Sequence, residues 1–146
     1  MSELSVEHAT FVVERTYDLP PDRVFGAWSD PQAKARWWGS SVDEYELDFR
    51  VGGREFQRGT DPHGNAYTFQ ALYQDIVPDR RIVYTYEMLV DETRISVSLA
   101  TVEFRPEGEG TRLVFTEQGA FLDGHDTRAQ REHGMSRLLD ALRAEL

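Results

Sequence analysis

The sequence of 146 residues predicts an α+β fold, a strongly bent antiparallel sheet of seven strands with one long C-terminal helix covering one face. Three observations lead to this prediction. From residue 43 to residue 118, segments with a period of two are separated by turn signals about every dozen residues, which is typical of a meander of hairpins. Two short helical patterns follow the first strand, and residues 126–146 return to a helical period.

The first strand is predicted over residues 8–19, which are rich in β-branched and aromatic side chains. It ends at two consecutive prolines, because proline cannot donate to a sheet ladder. The second of them, Pro21, begins a short helix in which Val24, Phe25 and Trp28 share an apolar face.

Asp30 is placed to cap a second short helix, with Pro31 at its first position. This helix is predicted to end at Trp37 and Trp38, with Gly39 free to adopt a positive φ after the last turn. Neighbouring helix residues point about 100° apart, so one apolar face does not easily bury both rings. We interpret the pair as the mouth of a cavity, one ring packing inward and the other shaping the entrance.

The second strand is predicted from Asp43 to Val51, where apolar and charged residues alternate. One face carries Tyr45, Leu47, Phe49 and Val51, and the other carries Glu44, Glu46, Asp48 and Arg50, a solvated acidic edge that resists pairing with another chain. Gly52 and Gly53 provide a two-residue hairpin signal. Five more strands are REFQRG (54–59), AYTFQALYQDIV (66–77), RIVYTYEMLV (81–90), RISVSLATVEFR (94–105) and TRLVFTEQ (111–118).

The C-terminal helix is predicted from Asp126 to the end of the sequence. Its apolar face consists of Met135, Leu138, Leu139, Leu142 and Leu146, and its outer face is predicted to carry Arg131, Arg137, Asp140 and Arg143. This length and pattern suit one domain over residues 1–146.

Composition excludes several classes of function. The net charge of −10 disfavours nucleic acid and anionic membranes as partners. The sequence has no apolar run of about 18 residues and no basic, apolar leader, so we expect a cytoplasmic protein with no membrane association. It contains no cysteine, which excludes thiol chemistry and disulfides. Lys34 is the only lysine among the 16 basic residues, a bias typical of GC-rich bacterial genes.

No motif for a metal or a cofactor is recognisable. The histidines His8, His63, His125 and His133 lack the spacing of helical metal ligands, so we expect no metal site. There is no Gly-x-Ser-x-Gly and no glycine-rich phosphate loop, so neither a serine hydrolase nor a nucleotide cofactor is expected.

Five phrases in this order resemble the START-like superfamily, also called SRPBCC or birch-pollen-allergen-like proteins. They are VERTYDLPPDRVFGAWSDP (13–31), RWWG (36–39), DFRVGG (48–53), DIVPDRRIVYTY (75–86) and TRLVFTEQG (111–119). Within the superfamily, the sequence is most similar to homologues of the activator of heat-shock-protein ATPase. The resemblance implies a helix-grip fold, with a cavity that opens near the two short helices and holds apolar small molecules. It implies no shared catalytic residues.

The gap between the long helix and the curved sheet is the default ligand site of such a fold. Aromatic residues are abundant, at 12% of the sequence, and tyrosine hydroxyls offer polar contacts. The predicted lining is Trp37, Trp38, Phe56, Tyr67, Phe69, Tyr84, Tyr86, Phe121, Met135 and Leu138, although each residue taken alone also fits an ordinary core.

Glu117 is the charged residue placed to reach this cavity, since it shares a strand face with Leu113 and Phe115. A buried carboxylate must be paired, hydrogen-bonded or neutralised. Glu117 would then orient a ligand or transfer protons, with Ser98 as a hydroxyl partner on the neighbouring strand. The alternative is that Glu117 lies at the frayed end of its strand and reaches water or an arginine.

Three functions fit these residues. The first is a binding protein for an apolar or aromatic molecule, lipid-like or polyketide-like, without catalysis. The second is a polyketide cyclase or aromatase in which Glu117 moves protons. The third, from the family resemblance, is a partner that stimulates a chaperone ATPase, although the sequence suggests only the START-like domain. A homodimer through exposed strand edges is also compatible with this fold.

Overall fold

The computed structural model describes residues 4–38 and 42–146, and Gly39, predicted to follow the second helix, lies outside them. The elements are β1 (Val6–Tyr17), α1 (Pro21–Ser29), α2 (Pro31–Trp37), β2 (Val42–Leu47), β3 (Arg54–Thr60), β4 (Ala66–Val77), β5 (Arg81–Val90), β6 (Thr93–Glu107), β7 (Gly110–Leu122) and α3 (Arg128–Arg143). This order confirms the predicted fold class, with two short helices after the first of seven strands and one C-terminal helix.

The strands form one antiparallel sheet in the order β1-β7-β6-β5-β4-β3-β2. Each strand from β2 to β7 pairs with its neighbour in sequence, whereas β1 pairs with β7, from Val6 opposite Leu122 to Tyr17 opposite Thr111. This pairing makes β1 begin and end earlier than the predicted range 8–19. The two edges of the sheet are β1 and β2, and α3 packs against β1.

The connection from β2 to β3 is longer than the predicted two-residue hairpin. β2 ends at Leu47 rather than Val51, because the Asp48 N–H donates to the Arg54 carbonyl at 2.9 Å and begins the loop there. Val51, which was predicted on the apolar face of this strand, is therefore exposed. A Cβ on Gly53 would overlap the carbonyl oxygen of Asp48, so the close approach of two backbone segments requires glycine here.

The C-terminal helix begins after Thr127, later than predicted, because the Thr127 side chain caps it by accepting from the Gln130 N–H at 3.1 Å. The Tyr17 hydroxyl of β1 connects the sheet to α3 by donating a hydrogen bond to the Leu139 carbonyl at 2.7 Å. In the described part of the chain, no helix has the length and apolar character needed to cross a membrane.

Candidate functional site

Most of the predicted lining residues are buried in the interior, on the inner face of the sheet or on the helices that pack near it. The buried ones are Trp37, Trp38, Phe69, Tyr84, Tyr86, Glu117, Phe121 and Met135. Tyr67 and Leu138 are half-buried. The structure therefore brings many aromatic side chains together around one interior region.

Phe56 is the exception, because it lies on the opposite face of β3. Glu55 and Gln57 are the buried residues of this strand, and the Phe56 ring instead lies 5.5 Å from the Arg58 guanidinium. The predicted place of Phe56 in the lining is therefore wrong. The inward face of β3 is polar because Glu55 pairs with a buried lysine.

The two adjacent tryptophans are both buried, at 3% and 7% exposed. Trp37 ends α2 and packs against Trp28, with ring centres 4.8 Å apart. Trp38 lies beyond the last helical residue and packs against Phe69 of β4 at 5.6 Å. Because the helix ends between the two rings, both can be buried, and Trp38 is the ring that faces the sheet.

A buried ion pair joins α2 to β3. Lys34 Nζ donates to Glu55 Oε1 at 2.8 Å, and both side chains are completely inaccessible to solvent. The hydroxyls of Tyr73 and Tyr45 donate to the two Glu55 oxygens at 2.8 Å and 2.6 Å. The carboxylate is thus satisfied on both oxygens, as a charge in a low-dielectric interior requires.

Aromatic rings surround the lysine head group. Lys34 Nζ lies 4.2 Å from the Trp38 ring centre, 5.2 Å from that of Trp28 and 5.9 Å from that of Tyr84. Burial lowers the pKa of Lys34, and the charge of Glu55 opposes this effect. Cation–π contacts and the ion pair together hold the ammonium group inside the protein.

A second polar cluster surrounds Glu117, which is 1% exposed. The hydroxyls of Tyr86 and Ser98 donate to Glu117 Oε2 at 2.7 Å and 2.8 Å. Arg131 of α3 donates to the same oxygen at 3.2 Å. Glu117 therefore faces the interior and accepts from Ser98, and it also reaches an arginine, the contact that the alternative interpretation expected.

Arg131 was predicted on the outer face of the C-terminal helix, and this prediction is wrong. Its Nη2 donates to Ser96 Oγ at 2.8 Å and to Asp126 Oδ2 at 2.9 Å, and its guanidinium lies 5.2 Å from the Phe121 ring centre. The helical spacing indicates an inward position for Arg131, since it precedes the buried Met135 by one helical turn. The charge of Arg131 favoured the opposite assignment, because arginine is rarely buried without a partner.

Between the two clusters lies the hydroxyl of Tyr84, which is buried and has no hydrogen-bond partner among the described residues. The ring lies 5.7 Å from that of Tyr73 and 5.9 Å from that of Tyr86. Burial raises the pKa of Tyr84, and the Tyr86 hydroxyl and the Glu55 carboxylate raise it further. Tyr84 therefore keeps its proton and can donate it in a hydrogen bond.

The tyrosines provide a testable pH dependence, because burial raises the pKa of all six above the ordinary value of about 10. The unfolded chain loses these protons at a lower pH than the folded chain does. The contribution of the tyrosines to the free energy of unfolding is therefore fully present below about pH 10 and falls as the pH rises further. The decrease is up to about 1.4 kcal/mol per pH unit for each fully buried tyrosine. We expect phenolate absorbance to appear together with loss of circular dichroism. Phenolate absorbance that rises near pH 10 while the protein stays folded would contradict this expectation.

On the outer face of the sheet lies a shallow groove of about 550 Å³, over β1, β5, β6 and β7. Val97 and Leu99, which line it, are 45% and 37% exposed, and none of the described lining residues is Asp, Glu, Lys or Arg. This uncharged surface is unusual in a chain with a net charge of −10.

In residues 4–38 and 42–146, no three His, Asp or Glu side chains are grouped as a metal site requires.

The chain is similar to one family model and to several solved structures. Residues 18–146 match the family model described as Activator of Hsp90 ATPase homolog 1-like protein. No curated protein matches the chain. A solved structure of an uncharacterized protein from Rhizobium leguminosarum is 46% identical, with a TM-score of 0.93 over 99% of this chain and 97% of that chain.

Two further structures extend the comparison. The Mll3558 protein from Rhizobium loti is 49% identical, with a TM-score of 0.90 over 97% of this chain and 99% of that chain. CalU16 from Micromonospora echinospora is 21% identical, with a TM-score of 0.65 over 99% of this chain and 85% of that chain. At this identity, the likeness to CalU16 concerns the fold alone.

Proposed function

Because the chain belongs to the family of activator of Hsp90 ATPase homolog 1-like proteins, we propose that it is a soluble cytoplasmic protein that binds an apolar or aromatic small molecule between its sheet and its C-terminal helix. The observation that carries this proposal is the Tyr84 hydroxyl, buried without a partner among the described residues. Buried polar groups are nearly always hydrogen-bonded, so a buried hydroxyl without a partner among the described residues supports a bound molecule that accepts from it.

The surroundings of Tyr84 suit an aromatic guest. Phe69 and Tyr86 flank the region with ring centres 4.9 Å apart, and the half-buried Met88 and Leu138 pack on the same core. Methionine adapts its shape more readily than other apolar residues, so Met88 can make room when a molecule enters. Trp38 closes this region on the side of α2.

We expect native mass spectrometry of the freshly purified protein to reveal a small molecule bound in stoichiometric amount, which denaturing extraction would release and identify. Tyr84→Phe should reduce the bound fraction without lowering the stability of the ligand-free protein, because it removes a hydroxyl that has no partner. Phe56→Leu, on the opposite face of β3, is the matched control and should leave occupancy unchanged. A ligand-free mass, with no uptake of added naphthalene, would contradict the proposal.

Catalysis by a cyclase or aromatase would use the same interior and would require Glu117 to exchange protons. Its pairing with Arg131 and its hydrogen bonds from Tyr86 and Ser98 converge on one carboxylate oxygen, Oε2, and fix its position. These contacts support a structural role for Glu117. The geometry therefore favours binding over catalysis.

The second candidate function, stimulation of a chaperone ATPase, is supported by the uncharged outer groove and the family description. We expect the wild-type protein to raise the ATPase rate of a heat-shock chaperone and Val97→Glu to abolish this effect. Val51→Glu, at an exposed valine in the β2–β3 connection, is the control. An unchanged ATPase rate with the wild-type protein would eliminate this candidate.

A further inference from the structure

The cations of the binding region are already paired with carboxylates of the protein. Among the described residues, the cations that reach it are Lys34 and Arg131, and each is held by carboxylates of the protein. Lys34 Nζ contacts Glu55 at 2.8 Å, whereas Arg131 contacts Glu117 at 3.2 Å and Asp126 at 2.9 Å. Neither cation is available to a ligand unless a protein carboxylate gives it up.

From this pairing we infer that the ligand is uncharged, an aromatic molecule with a hydroxyl or carbonyl oxygen that accepts a hydrogen bond from Tyr84. The inference rests on the proposed function and narrows its ligand class. An anionic head group, such as that of a fatty acid, would have to remain unpaired or displace Glu55 or Glu117 into isolation, and both arrangements bury an uncompensated charge.

A cationic ligand is disfavoured for the corresponding reason. The aromatic faces that attract a cation are already used, because Lys34 Nζ lies 4.2 Å from the Trp38 ring centre and Arg131 lies 5.7 Å from that of Tyr86. Glu55, Glu117 and Asp126 are likewise engaged by Lys34 and Arg131. What remains for recognition is the neutral hydroxyl of Tyr84, the buried Trp28 Nε1–H, which also has no partner among the described residues, and the apolar rings around them.

Three matched probes test the inference: naphthalene, 2-naphthol and 2-naphthoate, which near neutral pH are apolar, neutral with a hydroxyl, and anionic. Titration calorimetry of the full chain should show that 2-naphthol binds at least about tenfold more tightly than 2-naphthoate. Tyr84→Phe should weaken 2-naphthol binding by roughly three- to tenfold, the effect of one hydrogen bond, and leave naphthalene binding unchanged.

A second variant tests the pairing of Arg131 directly. Glu117→Gln keeps the hydrogen-bonding shape and leaves Arg131 with Asp126 alone, so part of the guanidinium charge becomes available. This variant should bind 2-naphthoate more tightly than the wild-type protein does, by about tenfold. A fold intact by circular dichroism would make the comparison valid.

The outcomes separate the inference from the proposed function. If 2-naphthoate binds the wild-type protein as tightly as 2-naphthol, the charge argument is overturned while binding of aromatic molecules stands. If naphthalene and 2-naphthol bind equally and Tyr84→Phe has no effect, the role of Tyr84 is overturned. If none of the three probes binds and the purified protein is ligand-free, the proposed function fails and the inference fails with it.

Discussion

Lys34→Met is expected to lower the free energy of unfolding by about 3–5 kcal/mol, the usual consequence of removing one partner of a buried ion pair. The substitution keeps an unbranched apolar stem but leaves Glu55 without its cation in a site that excludes solvent. The hydrogen bonds from Tyr45 and Tyr73 remain but cannot replace the lost cation. Urea unfolding followed by circular dichroism measures the difference.

Two variants make the result specific to the buried pair. Arg36→Met removes an exposed pair with Glu145 from the same helix and should change stability by less than about 1 kcal/mol. The double variant Lys34→Met with Glu55→Gln removes both charges and should recover most of the loss. Equal effects of Lys34→Met and Arg36→Met would show that the buried pair contributes no more than a surface contact.

Arg131→Met should destabilise the protein by about 3 kcal/mol, because Glu117 then stays buried without its cation. The effect should be somewhat smaller than at Lys34, since Glu117 keeps its bonds from Tyr86 and Ser98 and Arg131 is not fully buried. Denaturant unfolding monitored by tryptophan fluorescence provides the measurement.

Arg137→Met is the matched control, because Arg137 is an exposed residue of the same helix. It should alter the free energy of unfolding by no more than about 0.5 kcal/mol. Adding Glu117→Gln to Arg131→Met should restore part of the stability, which would identify the stranded carboxylate as the cause. If Arg131→Met behaved like Arg137→Met, the guanidinium would not stabilise the interior cluster.

The sheet was predictable from sequence because alternation and turn chemistry act locally. Segments such as residues 81–90 alternate cleanly between two turns, and their strands were confirmed. The end of β2 was not predictable in this way. The alternation continues through Phe49 and Val51, but the strand stops where the backbone of Asp48 meets Arg54, a contact that the side-chain pattern does not encode.

The polar interior was harder to predict, because a charged residue is ordinarily assigned to solvent. Lys34 precedes Trp37 and Trp38 by one helical turn, and Glu55 alternates with Gln57 and Gly59, yet neither pattern identifies the other half of the pair. The inward position of Glu117 could be predicted because Leu113 and Phe115 share its strand face, but its pairing with an arginine was expected only under the alternative interpretation. A buried ion pair joins two segments that are distant in the sequence. One charged residue can therefore be assigned to the interior only when the position of its partner is known.

The burial of Lys34 has a consequence for the chemical reactivity of the folded chain. It is the single lysine of the sequence, and its side chain has no solvent exposure. Acylating or cross-linking reagents that attack lysine amines can therefore reach it only when α2 separates from the sheet. The rate at which Lys34 is acylated then reports how often this part of the molecule opens.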